Sequence, residues 1–127
     1  FRVGPIDTVL LKYAVAVLGG VDYMAVTHVD RSDVFNAAVA YDFSALSPWH
    51  RARFFDEAGH MRVGPHSHDD RQLCGSLLSD VRPVYERFRV PALLDRLSDI
   101  APLGLISSGP KRADKVLQKR PQMKGRK

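Results

Sequence analysis

The chain has 127 residues, 45% of them hydrophobic and 26% charged, with a formal net charge of +5. That is enough length for one domain with a real core, and no apolar run reaches the roughly 20 residues that span a bilayer. A single cysteine, Cys74, excludes an intrachain disulfide and fits a reducing, cytoplasmic setting, where it reads as a small buried apolar residue. The charge is unevenly placed. Residues 111–127 hold eight Lys or Arg and one Asp, a net of +7, whereas residues 1–110 hold eleven and thirteen, a net of −2. The chain therefore divides into a segment over 1–118 and a basic tail over 119–127. The tail has no interleaved aromatics, so it reads as a solvated terminus, and nucleic-acid binding is not expected of it. No signal peptide is visible, and the opening residue, Phe1, suggests a processed or partial chain.

Asp7 is a plausible helix cap, and Thr8 to Leu18 carry Leu10, Leu11, Ala14, Val15 and Leu18 at helical spacing. Gly19-Gly20 stops that helix. Tyr23 to Val29 reads as a strand buried on both faces, and Asn36 to Tyr41 as a second. The short polar turn Asp30-Arg31-Ser32-Asp33 between them predicts an antiparallel pair. Ser47-Pro48 starts a helix that ends near Gly59, with Trp49, Phe54 and Phe55 facing inward.

His60 to Asp70 reads as a loop. His60, His66 and His68 with Asp69 and Asp70 are ligand types for a divalent ion, but no fourth ligand sits at a usual spacing, so a solvated loop is expected. Gln72 to Val81 is a short helix, Arg82 to Phe88 begins extended because Pro83 disfavours the helical region before it, and Pro91 to Ile100 is helical. Leu103 to Ile106 is a buried strand that breaks into Ser107-Ser108-Gly109-Pro110, and a closing helix is expected from about Lys111 to Lys119. Alternating helices and strands point to an α/β fold. Ser107 and Ser108 lack the Gly-x-Ser-x-Gly elbow of a nucleophile. Asp80, Glu86 and Asp95 have no spacing that marks an acid/base set.

Two strand ends then invite comparison, His28-Val29-Asp30 and Ser107-Ser108-Gly109. In open α/β sheets ligands sit at the carboxyl ends of strands. A carboxylate such as Asp30 offers two coplanar acceptors, and guanine presents two adjacent donors, N1–H and the exocyclic amine. Adenine lacks that pair, so the carboxylate would favour guanine. A turn of small residues lets backbone N–H groups approach the base, and one of them could serve O6.

The same residues carry a resemblance. Arg2-Val3-Gly4-Pro5-Ile6-Asp7, Ala25-Val26-Thr27-His28-Val29-Asp30, Val39-Ala40-Tyr41, Pro83-Val84-Tyr85-Glu86 and Ile106-Ser107-Ser108-Gly109-Pro110-Lys111-Arg112 occur in the order of five islands of the adenylosuccinate synthetase family. The chain resembles the carboxyl-terminal portion of that family over most of its length outside residues 42–80. The resemblance implies the carboxyl-terminal part of a mixed, mainly parallel sheet with flanking helices. It also implies a GTP-dependent ligase of purine biosynthesis, which phosphorylates the 6-oxygen of IMP and lets the amino group of aspartate displace the phosphate. The family requires Mg²⁺ and forms homodimers.

By position, the guanine-holding roles fall on His28, Val29 and Asp30, and on Ser107, Ser108 and Gly109. The family's glycine-rich phosphate loop and its catalytic Asp and His lie early in a longer chain and have no counterpart in these 127 residues. The Mg²⁺ site belongs to that portion too. The resemblance thus implies a segment that does not catalyse alone. His28 stands where the family has Lys, and Phe1-Arg2 where it has two Arg. Such departures resemble the shorter archaeal-like or phage relatives, some of which act on dGMP or accept ATP. The competing reading is a non-catalytic module that binds nucleic acid or protein through the basic tail.

Overall fold

A computed structural model describes residues 4–64 and 67–118. The fold is mixed α/β, with four α-helices and two small mixed sheets among the described residues. Parallel and antiparallel pairs both occur. The expectation of one mainly parallel sheet is therefore corrected. The chain forms two compact units, one from the residues up to Val17 with Asn36–Glu86, the other from Leu18–Phe35 with the residues from Arg87 onward.

In the first unit, β1 (Ile6–Asp7) pairs in parallel with β3 (Val34–Asp42), placing Ile6 beside Ala37 and Asp7 beside Ala38. Helix α1 (Thr8–Val17) follows at once. Asp7 is the cap the sequence predicts: its Oδ1 accepts from the N–H groups of Val9 at 3.0 Å and Leu10 at 2.9 Å. Its Oδ2 accepts from the Tyr41 hydroxyl at 2.6 Å. Burial, reinforced by that carboxylate, holds the Tyr41 phenol well above its ordinary range. Buried Thr8 donates to the Ala38 carbonyl at 2.8 Å, so this polar side chain is satisfied inside.

Helix α2 (Pro48–Phe54) starts as expected, with Ser47 Oγ accepting from the His50 N–H at 3.2 Å and Pro48 in the first turn. Phe54 and Phe55 are buried, but Trp49 is 62% exposed. Five residues turn a helix by about 140°, so Trp49 and Phe54 cannot share a face. Trp49 instead meets the Arg53 guanidinium, 5.4 Å from its ring centroid. Helix α3 (His68–Leu78) begins earlier than expected, because Ser67 and Asp70 form a reciprocal capping box. The core of this unit is Val9, Tyr41, Phe54, Phe55, Leu77 and Val81, with Leu73 and Cys74 packed against it. Partial burial raises the Cys74 thiol above its ordinary range, as suits a packing residue. Strand β4 (Arg82–Arg89) is the neighbour of β3 in the sheet order β1-β3-β4.

Asp70 also receives Arg53, at 2.7 Å from Nη2 and 3.1 Å from Nε. Those bonds and the Ser67 N–H hold its carboxyl below the usual range. The His60 N–H does the same for Asp56, and the Ser44 N–H for Asp42. A carboxylate whose folded pKa is depressed adds stability above its unfolded value, near 3.9, and loses it as pH falls through the folded value. Urea midpoints should therefore be level above about pH 5 and fall below about pH 4. Asp70→Asn should flatten that acid limb, and an unchanged limb would remove Asp70 from it.

In the second unit, β2 (Met24–Val26) pairs in parallel with β5 (Leu103–Ser107), and β5 pairs antiparallel with β6 (Lys115–Leu117). Helix α4 (Val90–Ser98) buries Leu93 and Leu97, as its spacing predicts. Three expectations are corrected here. β2 does not form a hairpin with β3; the two strands lie in different sheets. The Asp30–Asp33 segment makes its own turns instead, with Arg31 N–H bonded to the His28 carbonyl and the Ser32 hydroxyl to that of Val34. β2 is also shorter than Tyr23–Val29 and only partly buried, because it is the edge of a three-stranded sheet. Finally, no α-helix follows Pro110 among the described residues. Asp114 folds back to accept from the Lys111 N–H at 2.8 Å, a 3-10 turn spans Arg112–Asp114, and the chain returns as β6.

Candidate functional site

The groove at the open ends of β2 and β5 has a volume of about 350 Å³. Thr27, His28, Asp30 and Arg31 line one side, and Ser107, Gly109, Pro110 and Lys115 the other. Two stretches nearly eighty residues apart in sequence therefore meet, for a simple reason. β2 and β5 run parallel and in register from Ala25–Leu105 to Val26–Ile106, so their carboxyl ends emerge side by side. Val29 joins them, its N–H donating to the Ser107 carbonyl at 3.3 Å.

Of the residues picked out in the sequence, His28, Asp30, Ser107 and Gly109 border the groove. Val29 acts through its backbone. Ser108 turns elsewhere: its N–H donates to the Asp114 carbonyl at 2.9 Å and its hydroxyl to the same oxygen at 3.3 Å. The backbone donor expected from Ser108 is thus already engaged. Buried Ser107 donates from its hydroxyl to the Gly109 carbonyl at 3.1 Å, which tightens the turn. Gly109 is needed for close approach. A Cβ there would lie 3.2 Å from Asp114 Cβ and closer still to its carboxylate.

Lys115 was hidden from sequence reasoning. Its Nζ donates to the carbonyls of Gly109 and Lys111, the latter at 2.9 Å, and so clamps both ends of the turn. The expected helix would have aimed this side chain differently; only the return as β6, with Lys115 opposite Ser107, brings it under the turn. The one local hint was Lys115-Val116-Leu117, a short run ending in apolar residues. Arg31, read only as a turn residue, also borders the groove. Neither the Asp30 carboxylate nor the Arg31 guanidinium has a side-chain hydrogen bond or ion pair among the described residues. They remain available to a ligand.

The His60–Asp70 segment has a structural account. Ser67 and Asp70 cap α3, Asp70 pairs with Arg53, and His60 lies 3.3 Å from Asp56. His66 lies outside the described residues, as do Arg2 and the 119–127 tail. Among the described residues, no three His, Cys, Asp or Glu side chains come together as metal ligands would. No described helix is long and apolar enough to cross a membrane. No family model matches this chain, and no curated protein matches it significantly.

Proposed function

We propose that this chain is the carboxyl-terminal, base-binding part of a GTP-dependent ligase of the adenylosuccinate synthetase type, which joins a purine nucleotide, IMP or dGMP, to aspartate. The observation that supports the reading is the meeting of Asp30 with the Ser107–Gly109 turn in one groove. Asp30, which has no side-chain partner among the described residues, offers its carboxylate to the two donors of guanine. The turn, closed by Ser107, Lys115 and Asp114, forms a firm opposite wall. Holding the base fixes the nucleotide, which is most of what a protein contributes to phosphoryl transfer. In this reading Mg²⁺, the phosphate loop and the acid/base groups belong to a longer chain, which acts as a homodimer. The 127 residues bind and do not turn over.

Calorimetric titration with GTP, ITP and ATP tests this. ITP lacks the exocyclic amine, and ATP lacks the adjacent donor pair. GTP should bind most tightly. Asp30→Asn should reduce GTP affinity about tenfold, to the level of ITP, as loss of a charge-assisted bond requires. Equal affinities for GTP and ITP in the unaltered chain would remove Asp30 from the base site. Ligase turnover by the purified 127 residues would refute the division of labour.

A further inference from the structure

We propose that the first unit carries a separate site, a groove bordered by α1, β3, α2 and the turn after α2, which takes a small apolar monocarboxylate through Arg51 and the His60–Lys12 pair. Its charged groups lie outside the base-binding groove and outside the five islands of the resemblance, so it does not rest on the reading above.

The groove has a volume of about 230 Å³. Pockets for drug-sized ligands begin at roughly 300 Å³, so the occupant is a smaller molecule. Val9, Tyr41 and Phe43 give the groove an apolar floor. That floor is firm. The Phe43 ring lies 4.6 Å from that of Phe55 and edge-on to that of Tyr41 at 6.3 Å. Gly59 closes over it from the turn, where φ is +80° and a Cβ would come 3.3 Å from Phe43 Cε2.

Two cations at this groove have no carboxylate partner among the described residues. The Arg51 guanidinium is held over the Phe43 ring, 5.2 Å from its centroid, and makes no ion pair there. A guanidinium over a ring keeps its N–H groups for a carboxylate, which matches them two at a time. The second cation is Lys12, whose Nζ lies 3.5 Å from His60 Nε2. Asp56 sets that imidazole, accepting from the His60 backbone N–H at 2.8 Å and lying 3.3 Å from its Nδ1. Nδ1 faces a carboxylate and carries the ring proton, so Nε2 accepts and the Lys12 ammonium donates. The other N–H groups of that ammonium have no ion-pair partner among the described residues. Cations beside an apolar floor complement an anion with an apolar body. Glu57 borders the same groove. A second carboxylate on the ligand would meet it, and the like charges would repel. The groove therefore distinguishes one carboxylate from two.

The probe is butyrate, titrated into the ¹⁵N-labelled chain at low salt, where charges are least screened, and followed by NMR. Butyramide has the same body without the charge, and succinate adds the second carboxylate. Butyrate should shift the amides of Phe43, Ala58, Gly59 and His60, with a dissociation constant in the millimolar range that suits so small a ligand. Butyramide should bind about tenfold more weakly and succinate about fivefold. Arg51 is exposed, so Arg51→Gln should leave the melting temperature within about 2 °C while weakening butyrate about fivefold, Lys12 remaining in place. Butyramide binding as tightly as butyrate would show that no charge is read, and that comparison stands on the unaltered chain even if the variant unfolds. Succinate binding more tightly than butyrate, or Arg51→Gln binding butyrate as the unaltered chain does, would equally overturn the proposal. So would silent amides at about 50 mM butyrate. The base-binding reading is judged separately, by Asp30 and Gly109 in the second unit.

Discussion

In a Gly104→Ala variant, β2 and β5 will come apart. A Cβ at position 104 would lie 2.7 Å from Tyr23 Cβ, 3.0 Å from its Cγ and 3.2 Å from its Cδ1. Carbon atoms rest at about 3.5–4.0 Å. Tyr23 is 37% exposed and its ring could swing away, but its Cβ is fixed to the backbone. Relief therefore requires the strands to separate. That strains the bond from the Met24 N–H to the Pro102 carbonyl, 2.7 Å long, and the parallel register beyond it. The cost should reach about 3 kcal/mol, the upper part of the usual overpacking range. Amide exchange in β5 should accelerate by about two orders of magnitude at that cost. GMP should no longer perturb Asp30 or Gly109, since the groove exists only while the two strand ends stay adjacent. Exchange rates in β5 equal to those of the unaltered chain would show that the strand contact yields without consequence.

Phe55→Ala should be at least as costly, in the other unit. Phe55 is 1% exposed, with its ring 4.6 Å from that of Phe43 and edge-on to that of Tyr41 at 6.4 Å. Truncation removes a large apolar surface and both aromatic contacts. A Phe→Ala change in a well-packed core costs about 3–5 kcal/mol, which lowers a melting temperature by about 15 °C at this chain length. It also loosens the neighbourhood of Tyr41, whose hydroxyl reaches Asp7 and thereby the start of α1. Near-ultraviolet circular dichroism should lose tyrosine signal in step with stability. A fall of only a few degrees would mean that Phe43, Met61 and Leu73 close over the gap.

These effects bear on how a base would be held. The residues offered to it are exposed and weakly constrained, whereas what positions them is buried or tied down. Asp30 and Arg31 have no internal side-chain partners among the described residues, but the turn opposite is held by Ser107, Lys115 and Asp114. Preorganising one wall and leaving the charges free lowers the ordering cost on binding while keeping full charge for the ligand.

Much of the local structure was legible in the sequence, because its causes are local. Asp7, Ser47-Pro48 and Gly19-Gly20 cap or stop helices through bonds and backbone freedom within a few residues. The apolar run Leu103–Ile106 could be little other than a strand. His28 and Asp30, with Ser107 and Gly109, could be marked as residues for one groove because each ends such a run. What the sequence could not decide was pairing. Whether Met24–Val26 lies beside β3 or β5 depends on contacts nearly eighty residues apart, and the short turn at Asp30–Asp33 favours the wrong partner. The same holds for Lys115. Its helix propensity is good, but the ladder with β5 and the fold-back of Asp114 outweigh it. Trp49 is the converse case, an apolar residue left outside because the inward face of α2 was already taken by Phe54. The sequence by itself determined the elements, their caps and the chemical types at two strand ends. Only the tertiary structure decided that those ends share a groove and that a lysine clamps its far wall.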